Sequence, residues 1–201
     1  TPRPEPRRQR HHIEALERAL MENKFVVDLS EIDDSGLLRL KLFKPESPLV
    51  LSDILPLIEN MGLKARHMGG PYEVVPCDGC AKLYIHEFVC GNGSGRIVNF
   101  DVIKPLFEEA FVKLCSGEIE NDSFNALTLR AGLTWHEITM LRALARYLRQ
   151  LRIPYDQEMM AATLLAHSQT TRYLVELFVA RHDQVFIANL CQEIIARVRN
   201  L

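Results

Sequence analysis

Residues 36–62 read GLLRLKLFKPESPLVLSDILPLIENMG, and the spacing of the apolar residues changes once along this stretch. In its first part leucines alternate with Arg39 and Lys41, which is the pattern of a β-strand with one buried face. Beyond Pro48 the apolar residues recur at helical spacing, and Gly62 follows where a helix C-terminal cap is expected. The stretch therefore predicts one strand followed by one amphipathic helix.

Strands are predicted on both sides of this stretch, at residues 25–29, 64–75 and 82–89. The first of them forms a β-hairpin with the strand described above, through turn residues at 33–36. A second amphipathic helix is predicted over Phe100–Cys115. The order strand, strand, helix, strand, strand, helix predicts an α+β fold, in which a small antiparallel sheet carries two helices on one face.

From Asn121 onward the apolar residues recur only at helical spacing. Thr134 and Glu137 have the spacing of a capping box, and Asp156 and Ser168 are expected to open two further helices. A last helix is predicted from a stripe of apolar residues, namely Ile187, Leu190, Cys191, Ile194 and Val198. We therefore expect three regions, which are a linker at 1–12, an α+β domain at 13–117 and an all-helical domain at 118–201.

Composition places the chain among ordinary globular proteins, with 201 residues of which 47% are hydrophobic and 25% charged. The balance of 24 basic and 26 acidic residues gives no electrostatic reason to expect nucleic acid or an anionic membrane. No apolar run is long enough for a membrane span, and no signal peptide is visible. Because five cysteines are an odd number in a chain of this length, we expect a reducing, cytoplasmic location.

Cys77 and Cys80 form the most conspicuous local motif, because with His67 and His86 they would supply four zinc ligands. The histidines lie on opposite sides of the cysteines, however, without the second close pair that structural zinc sites have. Asp78 and the glycine after it are a hairpin signal in their own right. We expect the cysteines to flank a turn, so that no metal site is predicted.

Arg142, Arg146 and Arg149 lie at helical spacing in the helix that Thr134 caps. No run of carboxylates in the sequence obviously answers them, so we expect an exposed cationic surface that docks onto acidic groups of a neighbouring domain or subunit. Trp135, the only tryptophan, is expected to be the buried anchor of the same helix. The segment also imitates a helix-turn-helix, which leaves a DNA-binding regulator with a small-molecule sensor domain as an alternative.

No nucleophile, base and orienting group have a recognisable catalytic spacing. The glycine-rich residues 91–96 lack the spacing of a dinucleotide-binding or phosphate-binding loop. The sequence therefore predicts no catalytic and no cofactor-binding residue.

Read as whole segments, the chain resembles the large bacterial NAD-specific glutamate dehydrogenases, in the regulatory region that precedes their catalytic domain. The resemblance covers about residues 13–183. It is carried by LRLKLF (38–43), LSDILP (51–56), PYEV (71–74), YIHEF (84–88), LFEEAF (106–111), GEIENDSFN (117–125), LRAGLTW (129–135) and YLRQ (147–150).

The resemblance implies that the sandwich is an ACT-type, ferredoxin-like domain and that the helices begin the region linking such domains to the catalytic core. It implies a full-length, homo-oligomeric enzyme that oxidises L-glutamate to 2-oxoglutarate and ammonia with NAD, and a segment that is inactive alone. Its partners would be other domains and subunits of the same enzyme. An amino-acid effector is also implied, but residues 45–49 lack the glycine that usually lets the backbone approach such a ligand.

Three hypotheses follow for the chain. They are a regulatory and assembly segment of a glutamate dehydrogenase, which we favour, a DNA-binding regulator, and a zinc or redox module built on Cys77 and Cys80.

Overall fold

The computed structural model describes residues 6–32, 36–75, 82–92 and 99–182, with side chains from residue 13 onward. Its first half contains helices α1 (Pro6–Glu22), α2 (Leu51–Asn60) and α3 (Phe100–Cys115) and strands β1 (Val26–Glu31), β2 (Leu37–Pro45), β3 (Lys64–Val74) and β4 (Leu83–Gly91). Its second half contains a 3₁₀ turn (Ser123–Ala126) and helices α4 (Leu127–Ala131), α5 (Trp135–Gln150), α6 (Gln157–Ala166) and α7 (Ser168–His182). The predicted α+β class and the helical continuation are confirmed.

The four strands form one sheet in the order β1-β2-β4-β3, and every neighbouring pair is antiparallel. β4 lies between β2 and β3, so β2, α2 and β3 form a split β-α-β unit. β1 occupies the edge position beside β2 that the last strand takes in a β-α-β-β-α-β fold. The chain therefore has a ferredoxin-like arrangement whose final strand is supplied from the N-terminal side.

The alternation in β2 decides which face of the sheet is buried. Leu38, Leu40 and Leu42 are at most 1% exposed, and they pack with apolar residues of α2 and α3. The opposite face carries Arg39 and Lys41, which both pair with Glu87 on β4. The predicted strand pattern is confirmed, and in the predicted apolar helix after Pro48 the side chains of Ile54 and Ile58 are buried, whereas Leu51 is 42% exposed.

Helix α1 packs on the other face of the sheet, a position that the sequence pattern did not show. Ala15 and Ala19 are buried there against Val26, Phe43 and Leu83. The helix begins at Pro6, so the backbone of residues 6–12 is helical where the sequence favoured a linker. Leu16 and Leu20 of α1 are half-buried in the same cluster.

The capping signals of the second half work as expected. Thr134 and Glu137 form a reciprocal capping box, and the Asp156 carboxylate accepts from the backbone N–H of Met159 at 2.7 Å. The 3₁₀ turn and α4 were not predicted, because together they are too short for a periodic pattern. The predicted last helix lies outside the described residues. Within the described part of the chain, no helix is long and apolar enough to span a membrane.

Candidate functional site

The cationic residues of α5 differ sharply in their surroundings. Arg142 is 2% exposed, and it donates from Nε to Asp122 Oδ2 at 2.6 Å and from Nη2 to Asp122 Oδ1 at 2.8 Å. This burial corrects the expectation that Arg142 belongs to an exposed docking surface. The physical reason is its position on the helix, since it lies four residues after buried Ile138 and three before buried Ala145.

Arg146 and Arg149 remain at the surface. The Arg146 guanidinium pairs with Glu120, and both side chains are about half exposed, at 52% and 50%. Arg149 is exposed, and with Arg146 and Gln150 it lines a shallow depression. The cationic surface is therefore smaller than the sequence predicted and comprises Arg146 and Arg149. Because Glu120 of the same chain pairs with Arg146, the expectation that no carboxylate of the chain answers these arginines is also corrected. The helix-turn-helix alternative loses Arg142 as a DNA contact for the same reason.

Asp122 is the functional partner that sequence reasoning missed. Besides holding Arg142, it caps the 3₁₀ turn by accepting the Phe124 N–H at 3.2 Å and accepts from Gln157 of α6 at 3.3 Å. Asn125 supports the pair by accepting from Arg142 at 3.0 Å. The available signal was the N-cap pattern of Asp122 before the 3₁₀ turn, which places a carboxylate at the start of the helical half.

Trp135 lies at the junction between the two halves and is only half-buried, which corrects the expectation that it is a buried anchor of α5. Its indole Nε1 donates to Glu109 of α3 at 2.9 Å, and the half-buried ring packs against the sandwich core. The ammonium of Lys113 lies 5.8 Å from the ring centroid. Because Trp135 is the first residue of α5, it joins that helix to the sandwich.

A second contact at this junction involves the end of α2. Gly62 has φ +86°, and a Cβ placed there would lie 3.0 Å from Cβ of Ala126 in the 3₁₀ turn. Close by, Asn60 donates to Asn121 at 2.9 Å. Leu129 of α4 is buried in the sandwich core itself. The sandwich and the start of the helical half thus share one core.

The loop before α2, where an ACT-type domain would receive an effector, is occupied by the protein itself. The backbone N–H of Leu49 donates to Nε2 of buried His86 at 3.0 Å. Glu46 has φ +71°, so the left-handed conformation falls on a residue other than glycine. Burial, with a smaller contribution from the charge of Lys44, lowers the pKa of His86 and keeps the imidazole neutral and able to accept this bond.

A cluster of charged residues joins α3 to β1. Lys104 donates to Asp28 at 2.5 Å and to the carbonyl of Leu29 at 2.6 Å, and it pairs with Glu108 at 2.9 Å. Burial by itself would lower the pKa of Lys104, but the hydrogen bond to Asp28 and the charge of Glu108 outweigh it and raise the pKa. These hydrogen bonds and ion pairs hold helix α3 against the edge strand β1.

The described residues contain no group of three or more histidine, cysteine or acidic side chains that could hold a metal ion. Cys77 and Cys80 lie outside the described residues, so their place beside a turn stays a prediction. His67 is exposed on β3, and His86 already accepts a hydrogen bond. Burial raises the pKa of the Cys90 and Cys115 thiols to about 12, which makes both poor nucleophiles and poor ligands at neutral pH.

The fold and these contacts define the class of the protein, which is an ACT-type α+β sandwich continued by a helical motif that packs against it. Residues 24–103 match the family model of the glutamate dehydrogenase ACT3 domain, and residues 119–184 match that of glutamate dehydrogenase helical motif 3. The chain belongs to the family of NAD-specific glutamate dehydrogenases.

Individual relatives agree with the family models. The chain is 43% identical over 156 residues to the NAD-specific glutamate dehydrogenase of Halomonas elongata, an alignment covering 77% of this chain and 9% of the relative. It is 40% identical over 145 residues to the enzyme of the same name from Pseudomonas aeruginosa, covering 72% of this chain and 9% of the relative. The chain is 34% identical over 156 residues to the NAD-specific glutamate dehydrogenase of Mycobacterium tuberculosis, and this alignment covers 75% of this chain and 10% of the relative. The chain therefore spans about a tenth of the length of these relatives.

Proposed function

We propose that this chain is a non-catalytic regulatory and assembly segment of an NAD-dependent glutamate dehydrogenase. The full-length enzyme would convert L-glutamate, NAD and water to 2-oxoglutarate, ammonia and NADH. The observation that carries the proposal is the pair of consecutive matches, an ACT3 domain followed by helical motif 3, in a chain that spans 9% of its first two relatives.

The described residues do not fit a nicotinamide dinucleotide. Such cofactors bind beyond the carboxyl ends of adjacent parallel strands, where a glycine-rich turn opens a helix. In this sheet every neighbouring pair of strands is antiparallel. The proposal therefore assigns NAD and glutamate to another part of the full-length enzyme and derives no chemical step within this chain.

The proposed partners are other domains and subunits of the same cytoplasmic, homo-oligomeric enzyme. Arg146 and Arg149 are the residues through which α5 would contact acidic groups of a neighbour. Within the chain, the proposal keeps an ACT-type domain at 13–117 and a helical domain at 118–201. The proposal assigns no amino-acid effector to the loop before α2, because the Leu49 N–H there already donates to His86.

The direct test is an assay of glutamate-dependent NAD reduction by the purified chain, with a full-length relative as the positive control. We expect no turnover from the chain and normal turnover from the control. Turnover by the pure chain that is abolished by a point substitution within it would contradict the proposal.

A further inference from the structure

Strand β1 lies at one end of the sheet that the structure describes, in which the order of strands is β1-β2-β4-β3. Its pairing with β2 runs from Val26 to Glu31 in a single register, without a bulge. A regular edge strand presents a row of backbone N–H and C=O groups with which a strand of another molecule can pair. β1 is therefore a position at which this sheet could be extended.

The opposite edge strand, β3, differs from β1 in two ways. Its pairing with β4 shifts register between Ala65 and His67 and again between Gly69 and Tyr72. It also contains Pro71, which has no backbone N–H to donate. Bulges and prolines are common means by which an edge strand avoids pairing with a foreign strand. Neither occurs within β1, so its edge needs another kind of cover.

The backbone groups of Leu29 face away from β2. In an antiparallel ladder, successive residues direct their N–H and C=O groups alternately towards the partner strand and away from it. The Ile32 N–H donates to the carbonyl of Leu37 at 3.0 Å, so Ile32 belongs to the set that faces β2. Leu29, three residues earlier, belongs to the other set, as do Val27 and Glu31. These are the residues that a fifth strand would bind.

Two side chains of α3 occupy the place of that fifth strand. Glu108 Oε1 accepts from the Leu29 N–H at 2.8 Å, and the Lys104 ammonium donates to the Leu29 carbonyl at 2.6 Å. One acceptor and one donor thus replace the two hydrogen bonds that a strand would make at this residue. Both side chains are held in place, since Lys104 also pairs with Glu108 at 2.9 Å and with buried Asp28 at 2.5 Å. A foreign strand could reach the backbone of Leu29 only by displacing them.

We propose that Lys104 and Glu108 close the β1 edge and so prevent it from pairing with β1 of a second copy of the chain. The two side chains thus have a second role besides attaching α3, which is to prevent self-association through backbone hydrogen bonds. The inference does not depend on the proposed enzyme function, because it concerns only this sheet.

Hydrogen exchange of the Leu29 amide tests the first step. Glu108→Leu replaces the acceptor of this N–H with an apolar side chain of similar size, whereas the matched control Glu108→Gln keeps an acceptor oxygen. We expect the amide to exchange about tenfold faster in Glu108→Leu than in Glu108→Gln, as measured by nuclear magnetic resonance on dilute protein. Equal exchange in the two variants would overturn the proposal, because something other than Glu108 would then protect the amide.

Sedimentation tests the consequence. The triple variant Asp28→Asn, Lys104→Met, Glu108→Leu removes both partners of Leu29 and leaves no unpaired charge buried at position 28. We expect it to associate more strongly than Glu108→Gln as the protein concentration is raised about a hundredfold. The Leu29 amide should become protected again in the associated form, because the second copy then supplies its acceptor.

A proline distinguishes β1 from other surfaces. Glu31 is the last residue of β1 and belongs to the set that faces away from β2, so Glu31→Pro should leave the sheet intact while blocking a fifth strand. Added to the triple variant, it should restore the sedimentation of Glu108→Gln. Association that survives this proline would contradict the proposal, as would a triple variant that sediments like Glu108→Gln at every concentration. If circular dichroism shows that the triple variant is unfolded, Glu108→Leu takes its place in the same comparison.

Discussion

Arg142 is a buried cation that is held by several polar and aromatic groups. The Asp122 carboxylate binds its guanidinium at two points, Asn125 accepts a third hydrogen bond, and the Phe124 ring centroid lies 5.8 Å from its central carbon. A bidentate pair of this kind depends on the planar fork of arginine, which lysine lacks. The pair ties α5 to the start of the helical half.

Loss of this cation should therefore destabilise the chain. We expect Arg142→Met to lower the free energy of unfolding by about 2–3 kcal/mol, because it leaves the Asp122 carboxylate with an unanswered charge. Arg149→Met is the control, and it should change the free energy by less than about 0.5 kcal/mol because Arg149 is exposed. Urea unfolding measures both values. Equal unfolding midpoints for the two variants would refute the structural role of Arg142.

His86 should make stability depend on pH. Because burial lowers its pKa below the ordinary 6.5, the unfolded chain takes up the proton more readily than the folded chain does. The stability that neutral His86 contributes to the fold is therefore fully present above pH 6.5, and it is lost as the pH falls below that value. Protonation also removes the acceptor for the Leu49 N–H.

Thermal unfolding between pH 8 and pH 5.5 measures this effect. We expect the melting temperature of the unmodified chain to fall below pH 6.5 more steeply than that of His86→Gln, whose side chain keeps an acceptor but does not titrate. Parallel curves for the two proteins would show that His86 does not couple protonation to folding.

At the scale of elements, the central feature is the contact between the end of α2 and the 3₁₀ turn. Gly62 and Gly117 both have positive φ, at +86° and +74°, so an added Cβ strains the backbone at both positions. They differ in space, since a Cβ at Gly62 would meet Ala126 at 3.0 Å and one at Gly117 would meet nothing within 4 Å. A comparison of alanine substitutions at the two glycines therefore separates the effect of backbone strain from the effect of close packing.

We expect Gly62→Ala to destabilise the chain by about 1–2 kcal/mol more than Gly117→Ala, because it alone overpacks the junction. The emission of Trp135, which lies at the same junction, should shift only in the Gly62 variant. Denaturant unfolding followed by this fluorescence gives both readouts. Equal losses in the two variants would mean that the junction is loosely packed.

Local patterns were sufficient to predict most elements of this fold. The alternation around Arg39 predicted β2, and the pair of Thr134 and Glu137 predicted the start of α5, because both signals act between neighbours in sequence. The partners of Arg142 and Trp135 were not predictable in this way. Asp122 lies 20 residues from Arg142, and Glu109 lies 26 residues from Trp135, so only the tertiary fold brings each pair together.

The face that α1 covers was missed for a related reason. Its contact involves Ala15, Leu16, Ala19 and Leu20, and their helical spacing indicates a helix but not the face of the sheet on which it packs. The exposed surface of α5 was overestimated because spacing alone placed Arg142 beside Arg146 and Arg149. The stripe through Ile138 and Ala145 would have placed Arg142 inside.

At the scale of the whole molecule, a shared core connects the sandwich to the start of the helical half. Leu129 is buried in the sandwich core, and the indole of Trp135 donates to Glu109, so α5 is in direct contact with α3. The surface of α5 that remains open carries Arg146 and Arg149. A neighbouring domain that binds this surface would therefore be connected to the sheet through packed contacts.

If this segment serves assembly and regulation rather than chemistry, reversing the charge of the α5 surface in a full-length enzyme should impair that enzyme. The variant Arg146→Glu, Arg149→Glu is compared with Lys64→Glu, Arg130→Glu, which makes the same change in net charge at two exposed positions outside α5. Both pairs should leave the isolated chain folded, because all four side chains lie at the surface.

The measurement is oligomer size by light scattering together with glutamate-dependent NAD reduction, in full-length enzyme carrying each pair of substitutions. We expect the α5 pair to reduce assembly or turnover, by about tenfold if one charge contact of about 1.4 kcal/mol is lost, whereas the control pair should leave both unchanged. Unchanged oligomer size and full turnover in the α5 variant would contradict this expectation.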